Sequence, residues 1–402
     1  MTQPLTRRDL LSRAAGTVGA AVIGSSKGSA QAQSNDTTKS PGGPPTELGL
    51  RSPHERLLRP TSGSNVSRTP HQDLFGSITP SDLHYERHHA GVPEIDPVGY
   101  QLLVHGMVER PTIFTLDDLK HFPAVSRIAF LECSGNYGRN AGPDSKPEQI
   151  CGLTSQSEWT GVALSTLLRE VGASSDATWL VAEGQDAAVM TRSVPMEKAW
   201  NDAMVAYGQN GEPIRPAQGY PARLFLPGWE GNANVKWLRR IELADRPFMT
   251  REETSKYTDP LADGTARQFS FVFDARSIIT KPAYPETIEP GWVEIRGIAW
   301  SGRGTIARVE ISSDGGRSWT NARLQEPVLP KAHVRFRHLW NWDGTNTEIM
   351  SRAVDETGYV QPSRDALRAA RGRRARGYHL NPVTAWTIRP DGRVFYKEEP
   401  PW

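Results

Sequence analysis

No apolar run in these 402 residues approaches the ~18 that a membrane-spanning helix needs. No Cys-x-x-Cys-His occurs, so the chain attaches no haem covalently. Its glycine-rich loop lacks the Walker spacing and is not a P-loop. An excess of one charge is missing too, with a formal net charge of +2. Residues 1–32, which read as an export signal, hold Arg7, Arg8, Arg13 and Lys27 against Asp9, so their removal takes +2 to −1. That balance offers no bulk attraction to nucleic acid. No internal repeat is present. Cysteine is scarce: Cys133 and Cys151 stand 18 positions apart, a separation that permits a disulfide.

What is there is a soluble globular composition, 37% hydrophobic and 23% charged, long enough for two or three domains. The 36 glycines, 31 prolines and 12 tryptophans point to a loop-rich, β-containing fold with large buried rings. At the N-terminus, Thr6-Arg7-Arg8-Asp9-Leu10-Leu11, a mildly apolar stretch to Gly24 and Ala30-Gln31-Ala32 form a twin-arginine signal pattern over residues 1–32. Such signals export folded proteins, usually with a cofactor already inserted, which predicts a periplasmic location. Residues 33–74, rich in Ser, Thr, Pro, Gly and Asn to about residue 70, read as a linker or extended arm.

The stretch Phe130-Leu131-Glu132-Cys133-Ser134-Gly135-Asn136 organises the rest. The apolar run 128–131 reads as a buried strand that delivers Cys133 into a Ser-Gly-Asn turn. A thiol there suits a soft metal or a reactive centre; a buried structural cysteine is the alternative. Cys151 reads as a small buried residue. Upstream, His84, His88 and His89 surround Arg87, either as zinc ligands or as hydrogen-bond donors to an anionic ligand. Downstream, a strand carrying Arg223 enters the loop Pro227-Gly228 to Lys236, where exposed N–H groups between two cations suit an anion, unless the loop is a tight surface turn.

Around these, Thr115 caps a short helix, another helix runs over 164–171 and ends at Gly172, and Asn210-Gly211 marks a turn after a strand. From Phe269 onward short alternating strands, with Asp314-Gly315-Gly316 as a hairpin turn, predict an all-β sandwich. The arginines Arg368, Arg371, Arg373, Arg374 and Arg376 form either a solvated loop or a docking site for an acidic partner.

The segments Tyr85-Glu86-Arg87-His88-His89, Cys133-Ser134-Gly135-Asn136, Trp159-Thr160-Gly161-Val162, Gly219-Tyr220-Pro221-Ala222-Arg223, Val235-Lys236-Trp237-Leu238 and Trp300-Ser301-Gly302, in this order, resemble the sulfite oxidase family of molybdenum enzymes. The resemblance covers about residues 75–390. The runs Met249-Thr250-Arg251-Glu252-Glu253-Thr254-Ser255-Lys256-Tyr257-Thr258-Asp259 and Arg352-Ala353-Val354-Asp355-Glu356-Thr357-Gly358-Tyr359-Val360-Gln361-Pro362 are more narrowly similar to the molybdenum subunits of sulfane dehydrogenases, part of the Sox thiosulfate-oxidising system.

The resemblance implies an α+β protein: a molybdopterin-binding catalytic domain at 75–265, then an immunoglobulin-like dimerisation sandwich at 266–402. It implies molybdenum and molybdopterin as cofactors, with Cys133 as thiolate ligand, Arg87 facing the substrate anion and Tyr257 lining the same pocket. His88, His89, Arg223, Asn232, Lys236 and the loop backbone would hold the pterin and its phosphate. The implied partners are a sulfur-carrier protein as substrate and a c-type cytochrome subunit as electron acceptor, around a homodimer of this chain within a heterotetramer.

Two positions depart from the family pattern. Its arginine pair after the cysteine motif is Tyr137 and Gly138 here, with Arg139 one place later, and its histidine before Gly-x-Pro is Gln218. Fewer cations favour a substrate less charged than free sulfite, such as a carrier-bound persulfide. The competing expectations are a free-sulfite dehydrogenase, a cofactor-free periplasmic scaffold protein, and a zinc hydrolase built on His84, His88 and His89.

Overall fold

The computed structural model describes residues 43–138, 140–372 and 378–397. The expected export signal and Arg139, Arg373, Arg374 and Arg376 lie outside the described residues. The chain divides into two compact units, Met1–Glu55 and Arg56–Trp402. The described part of the first, 43–55, is exposed apart from any regular element. The second contains the fold that follows. No described helix is long and apolar enough to cross a membrane.

Thr61–Ser62, Val66–Ser67 and Glu86–Arg87 form a small antiparallel sheet. Part of the expected arm at 33–74 thus pairs with the strand that carries Arg87, and its Thr69 and His71 are buried. A five-stranded mixed sheet follows in the order Thr112–Thr115, Gln101–Gly106, Leu238–Ala244, Trp179–Gly184, Thr191–Pro195. Its one parallel pair joins strands far apart in sequence, as a parallel ladder requires. The second sheet of this half orders Glu212–Pro213, Met204–Gln209, Thr154–Ala163 and Ala124–Glu132, with Arg223–Phe225 also on Met204–Gln209.

The local signals fold as their chemistry dictates. Thr115 and Asp118 close a reciprocal capping box at the start of Leu116–His121. Asn210 and Gly211 both take left-handed backbone (φ 52° and 81°) and turn Met204–Gln209 into Glu212–Pro213. Leu164–Glu170 buries Leu164, Leu167 and Leu168 on one face, against Val162, Val205, Leu224 and Ile241 from both sheets. Burying each such leucine contributes about 1.5–3 kcal/mol.

Beyond residue 275 the predicted sandwich is present. One sheet runs Arg276–Lys281, Gly291–Trp300, Val334–Trp342, Arg323–Leu324. The other runs Thr320–Asn321, Ile306–Ser312, Thr347–Asp355, Ala385–Ile388, Val394–Tyr396. Ile295, Val309, Phe336, Ile349 and Trp386 fill the space between them, and Phe130 of the cysteine strand belongs to that same core. Phe130 stacks on His333 at 5.9 Å and an interplanar angle of 7°. Its N–H donates to Lys331 O at 3.0 Å. The strand that ends at Cys133 is therefore packed into the sandwich.

Three histidines near this junction are buried without charge. Burial takes His71 and His84 down to about 3, and takes His333 well below its ordinary value. An unfolded chain protonates each near pH 6.5. Their contribution to stability is therefore complete above that pH and is lost as pH falls from about 6.5 towards 3. His71 and His84 each account for about 2 kcal/mol at pH 5. His379 runs the other way: burial lowers it, but Glu230 and Asp259 raise it on balance. With six histidines lowered, His88, His89 and His338 among them, against one raised, the melting temperature is expected to fall steadily between pH 7 and pH 5. A flat profile over that range would show that these histidines are not buried neutral.

Candidate active site

Cys133 leaves the strand Ala124–Glu132 where the burial pattern has become continuous. The turn closes on itself, since Asn136 N donates to Cys133 O at 2.9 Å. Asn136 then fixes what surrounds it. Its Oδ1 accepts from Leu153 N at 2.8 Å, and its Nδ2 donates to Glu132 Oε1 at 2.9 Å. The Cys133 thiol is half-buried. Burial pushes it up, against the Gly135 N–H and Arg87, so a metal ion is needed to hold it as thiolate at neutral pH.

Facing Cys133 is a cluster that the small N-terminal sheet and the glycine loop build together. Lys236 Nζ reaches His88 Nδ1 at 2.7 Å, Ala217 O at 3.0 Å and Arg87 O at 3.3 Å. His88 Nε2 lies 2.9 Å from Glu86 Oε2. A Lys236 N–H on Nδ1 and a carboxylate on Nε2 select the neutral Nε2–H tautomer, and burial, then Lys236, lowers His88 accordingly. Arg87 donates to His88 O. Gly219, at φ 110°, lets Lys236 approach: a Cβ there would sit 3.0 Å from Lys236 Cβ.

The third wall is the segment after Glu252–Lys256, a π-helical turn. Tyr257 Oη is 3.0 Å from His89 Nε2, and its ring lies under the Arg192 guanidinium at 5.2 Å and beside Tyr378 at 5.4 Å. Arg192, Glu230 and Glu253 are fully buried, with Arg192 Nε 3.1 Å from Glu253 Oε1 and Nη2 3.6 Å from Glu230 Oε1. Removing one member of such a group strands a buried charge, so the wall is held firmly.

All eight residues singled out from the sequence, Arg87, His88, His89, Cys133, Arg223, Asn232, Lys236 and Tyr257, line one cavity. Its empty volume is about 630 Å³, solvent mouth included, within the range of cofactor and ligand pockets. Sequence reasoning missed Tyr85, Asp186, Met190 and Trp237, which also line it. Tyr85 and Trp237 stand inside the sequence motifs but have no role assigned there, whereas Asp186 and Met190 lie near none of them and carry no local signal.

One expectation needs correction, and two of the alternatives, a zinc cluster and a disulfide, are not what the described residues show. The loop 227–236 is not a cradle of exposed N–H groups: Trp229, Glu230, Gly231, Ala233, Asn234 and Val235 each donate to a protein carbonyl. The loop is largely buried, and buried backbone must pair internally. Arg223 spends its Nη groups on Gln218 O and Asn234 O, both at 2.9 Å, and so braces the loop. The histidines diverge, with His84 bonded to Tyr85 O at 3.0 Å and away from the partners of His88 and His89. Among the described residues no group of three His, Cys, Asp or Glu is arranged to hold a metal. Finally, both cysteines are free. Cys151 is fully buried, 3.4 Å from Asn136 Nδ2. Thiol titration in denaturant without reductant should find both; neither would react if a disulfide had formed.

The cavity suits a polar group that carries a soft metal. Cys133 offers a soft ligand. Arg223 Nε and Asn232 Oδ1 are buried polar atoms with no partner among the described residues, and both residues line the cavity. Such atoms call for a partner that a polar group in the cavity would supply.

Known proteins fit this geometry. Residues 89–252 match the oxidoreductase molybdopterin binding domain, and residues 267–385 match the Mo-co oxidoreductase dimerisation domain. Sulfite oxidase of Gallus gallus is 30% identical over 340 residues, which cover 77% of this chain and 74% of that one. The chain belongs to the sulfite oxidase family of molybdenum oxidoreductases. Its cofactor is therefore molybdenum with molybdopterin, and its α+β half is the cofactor-binding domain, followed by the dimerisation sandwich. Another member of the family, the mitochondrial sulfite oxidase of Drosophila melanogaster, is 31% identical over 361 residues. This chain spans 62% of that enzyme and 41% of the nitrate reductase of Ulva prolifera. Among solved structures, a chain of the sulfane dehydrogenase SoxCD from Paracoccus pantotrophus is 43% identical, with a TM-score of 0.82 over 88% of this chain and 96% of that one.

Proposed function

We propose that this chain is the molybdenum subunit of a sulfane dehydrogenase, acting in the periplasm on sulfur bound to a carrier protein. The observation that carries this reading is the 43% identity to the SoxCD chain over nearly its full length, against 30–31% for the sulfite oxidases. One neutral replacement on the cavity wall supports it. Gln218 is buried and donates its amide to Tyr85 O at 2.8 Å, where the family histidine would add a cation. Tyr137 gives no such support, because it accepts from Arg364 and a guanidinium is therefore present at that position.

Bound molybdenum supplies a centre that adds an oxygen from water to sulfur and takes electrons in pairs. Cys133 is its protein ligand. Arg87 and the Tyr257 hydroxyl orient the anionic end of the substrate, while His89 and Asn232 hold the pterin and its phosphate; His88 and Lys236, already paired with each other and with Glu86, Ala217 O and Arg87 O, build the wall behind them. Arg223 keeps the loop in place and offers Nε. The chain brings no haem of its own, so a c-type cytochrome subunit takes the electrons singly, and dimerisation runs through the sandwich. Export in the folded state through residues 1–32 belongs to the same proposal.

Steady-state turnover with a cytochrome acceptor tests it. A persulfidated carrier protein should be oxidised much faster than sulfite. Rapid sulfite turnover with no response to the carrier would make the chain a free-sulfite dehydrogenase instead.

A further inference from the structure

The sandwich does more than the dimerisation its family description assigns. The carboxylate next to the thiol, Glu132, is fully buried and takes its partners from two places. From the cysteine turn, Asn136 Nδ2 donates to Oε1 at 2.9 Å. From the sandwich, Arg276 Nη1 donates to Oε1 at 3.0 Å and Trp300 Nε1 to Oε2 at 2.6 Å. Arg276 also donates directly to Asn136 O, inside the turn. Arg276 and Trp300 themselves are buried, at 4% and 0% exposure, and Arg276 lies over the Trp300 ring at 5.8 Å. Both side chains come from strands of one sandwich sheet, at positions paired to each other, Arg276 opposite Trp300.

The backbone is tied at the same level. Glu230 N donates to Phe271 O at 2.8 Å, and Phe273 N to Gly228 O at 3.1 Å. Gly231 N donates to Glu132 O at 2.6 Å. A Cβ on Gly231 would stand 2.7 Å from that oxygen, so the glycine is what admits the contact.

We infer that Arg276 and Trp300 are positioning residues for the metal ligand: through Glu132 and Asn136 they fix the orientation of the Cys133 side chain, so the sandwich is part of the cofactor site. The physical reason is directional. A thiolate–metal bond has a preferred torsion about Cβ–Sγ. The turn that sets it is short and has a glycine next but one to the cysteine. Packing alone leaves such a turn free to rock, whereas three N–H donors on a single buried carboxylate fix its plane. The guanidinium fork adds an orientation that an ammonium lacks.

The inference rests on Cys133 as ligand of molybdenum but not on which sulfur compound is oxidised. The test is the thiolate-to-molybdenum charge-transfer absorption of the holoenzyme, measured per bound molybdenum. Trp300→Phe removes one N–H and keeps a ring in the core. Trp342→Phe is its control, because Trp342 is equally buried in the sandwich and donates instead to Thr345 O at 2.9 Å. Trp300→Phe and Arg276→Lys should shift the band and lower kcat by roughly 10- to 100-fold with little change in KM. Trp342→Phe should leave band and kcat as in the wild type.

In protein produced without molybdenum, Cys133 should be alkylated several-fold faster in Trp300→Phe than in either wild type or Trp342→Phe. This readout serves even if a variant loads poorly. An unshifted band in Trp300→Phe, or equal alkylation rates, would overturn the inference. If Cys133→Ser left the band in place, the ligand assignment itself would be wrong, an outcome distinct from the first.

Discussion

Cys133→Ser is expected to leave a folded chain whose turnover is lower by ~10³-fold or more, the loss of ~4 kcal/mol of transition-state stabilisation. The thiol is half-buried at the end of a strand whose preceding four residues are buried. A hydroxyl of nearly the same shape fits the space, and the turn is closed by Asn136 rather than by sulfur. Unfolding midpoints should therefore stay within a few degrees. The chemistry does not survive the exchange. Serine oxygen is a harder donor that ionises far less readily than a thiol, so it competes poorly for a soft centre. Measuring molybdenum per chain beside kcat separates lost metal from misdirected metal. Retained turnover in this variant would remove Cys133 from the metal.

The second large effect is expected from Arg87→Met. Arg87 stands opposite Val66 in the small sheet, and its guanidinium is anchored by His88 O on the cavity wall. Methionine keeps most of the apolar stem but removes a permanent cation with fixed donors. A charge-assisted contact to an anionic substrate lost from a partly dry cavity predicts a ~10²-fold fall in kcat/KM, about 3 kcal/mol. Stability should change by only about 1 kcal/mol, since Arg87 is half-buried and in no core cluster. Unchanged kinetics would take Arg87 out of the site.

The motifs were legible because each is a short-range demand written in residue types. Thr115 and Asp118 spell a cap, Asn210-Gly211 a turn, and the apolar run before Cys133 a buried strand. The partners of Glu132 were not legible. Arg276 is 144 residues away and Trp300 is 168, and nothing local marks either as a neighbour of the cysteine. The glycine loop misled for a related reason. Exposed N–H groups are a sound expectation for a glycine-rich turn at a surface, but tertiary packing buries this loop, and burial forces its N–H groups onto protein carbonyls.

By itself, then, the sequence determined the kinds of group available: one soft thiol in a tight turn, cations and histidines in two segments, a helical and sheet-rich first half and a β sandwich after it. Propensity, turn chemistry and side-chain character act over a few residues, and those were all present in the order of letters. Only the tertiary structure decided which groups meet. It brought eight residues from five separate segments to one cavity, turned Arg223 into a brace, and set two sandwich side chains on the carboxylate beside Cys133. Such meetings depend on the register and packing of strands more than a hundred residues apart, which no local pattern encodes.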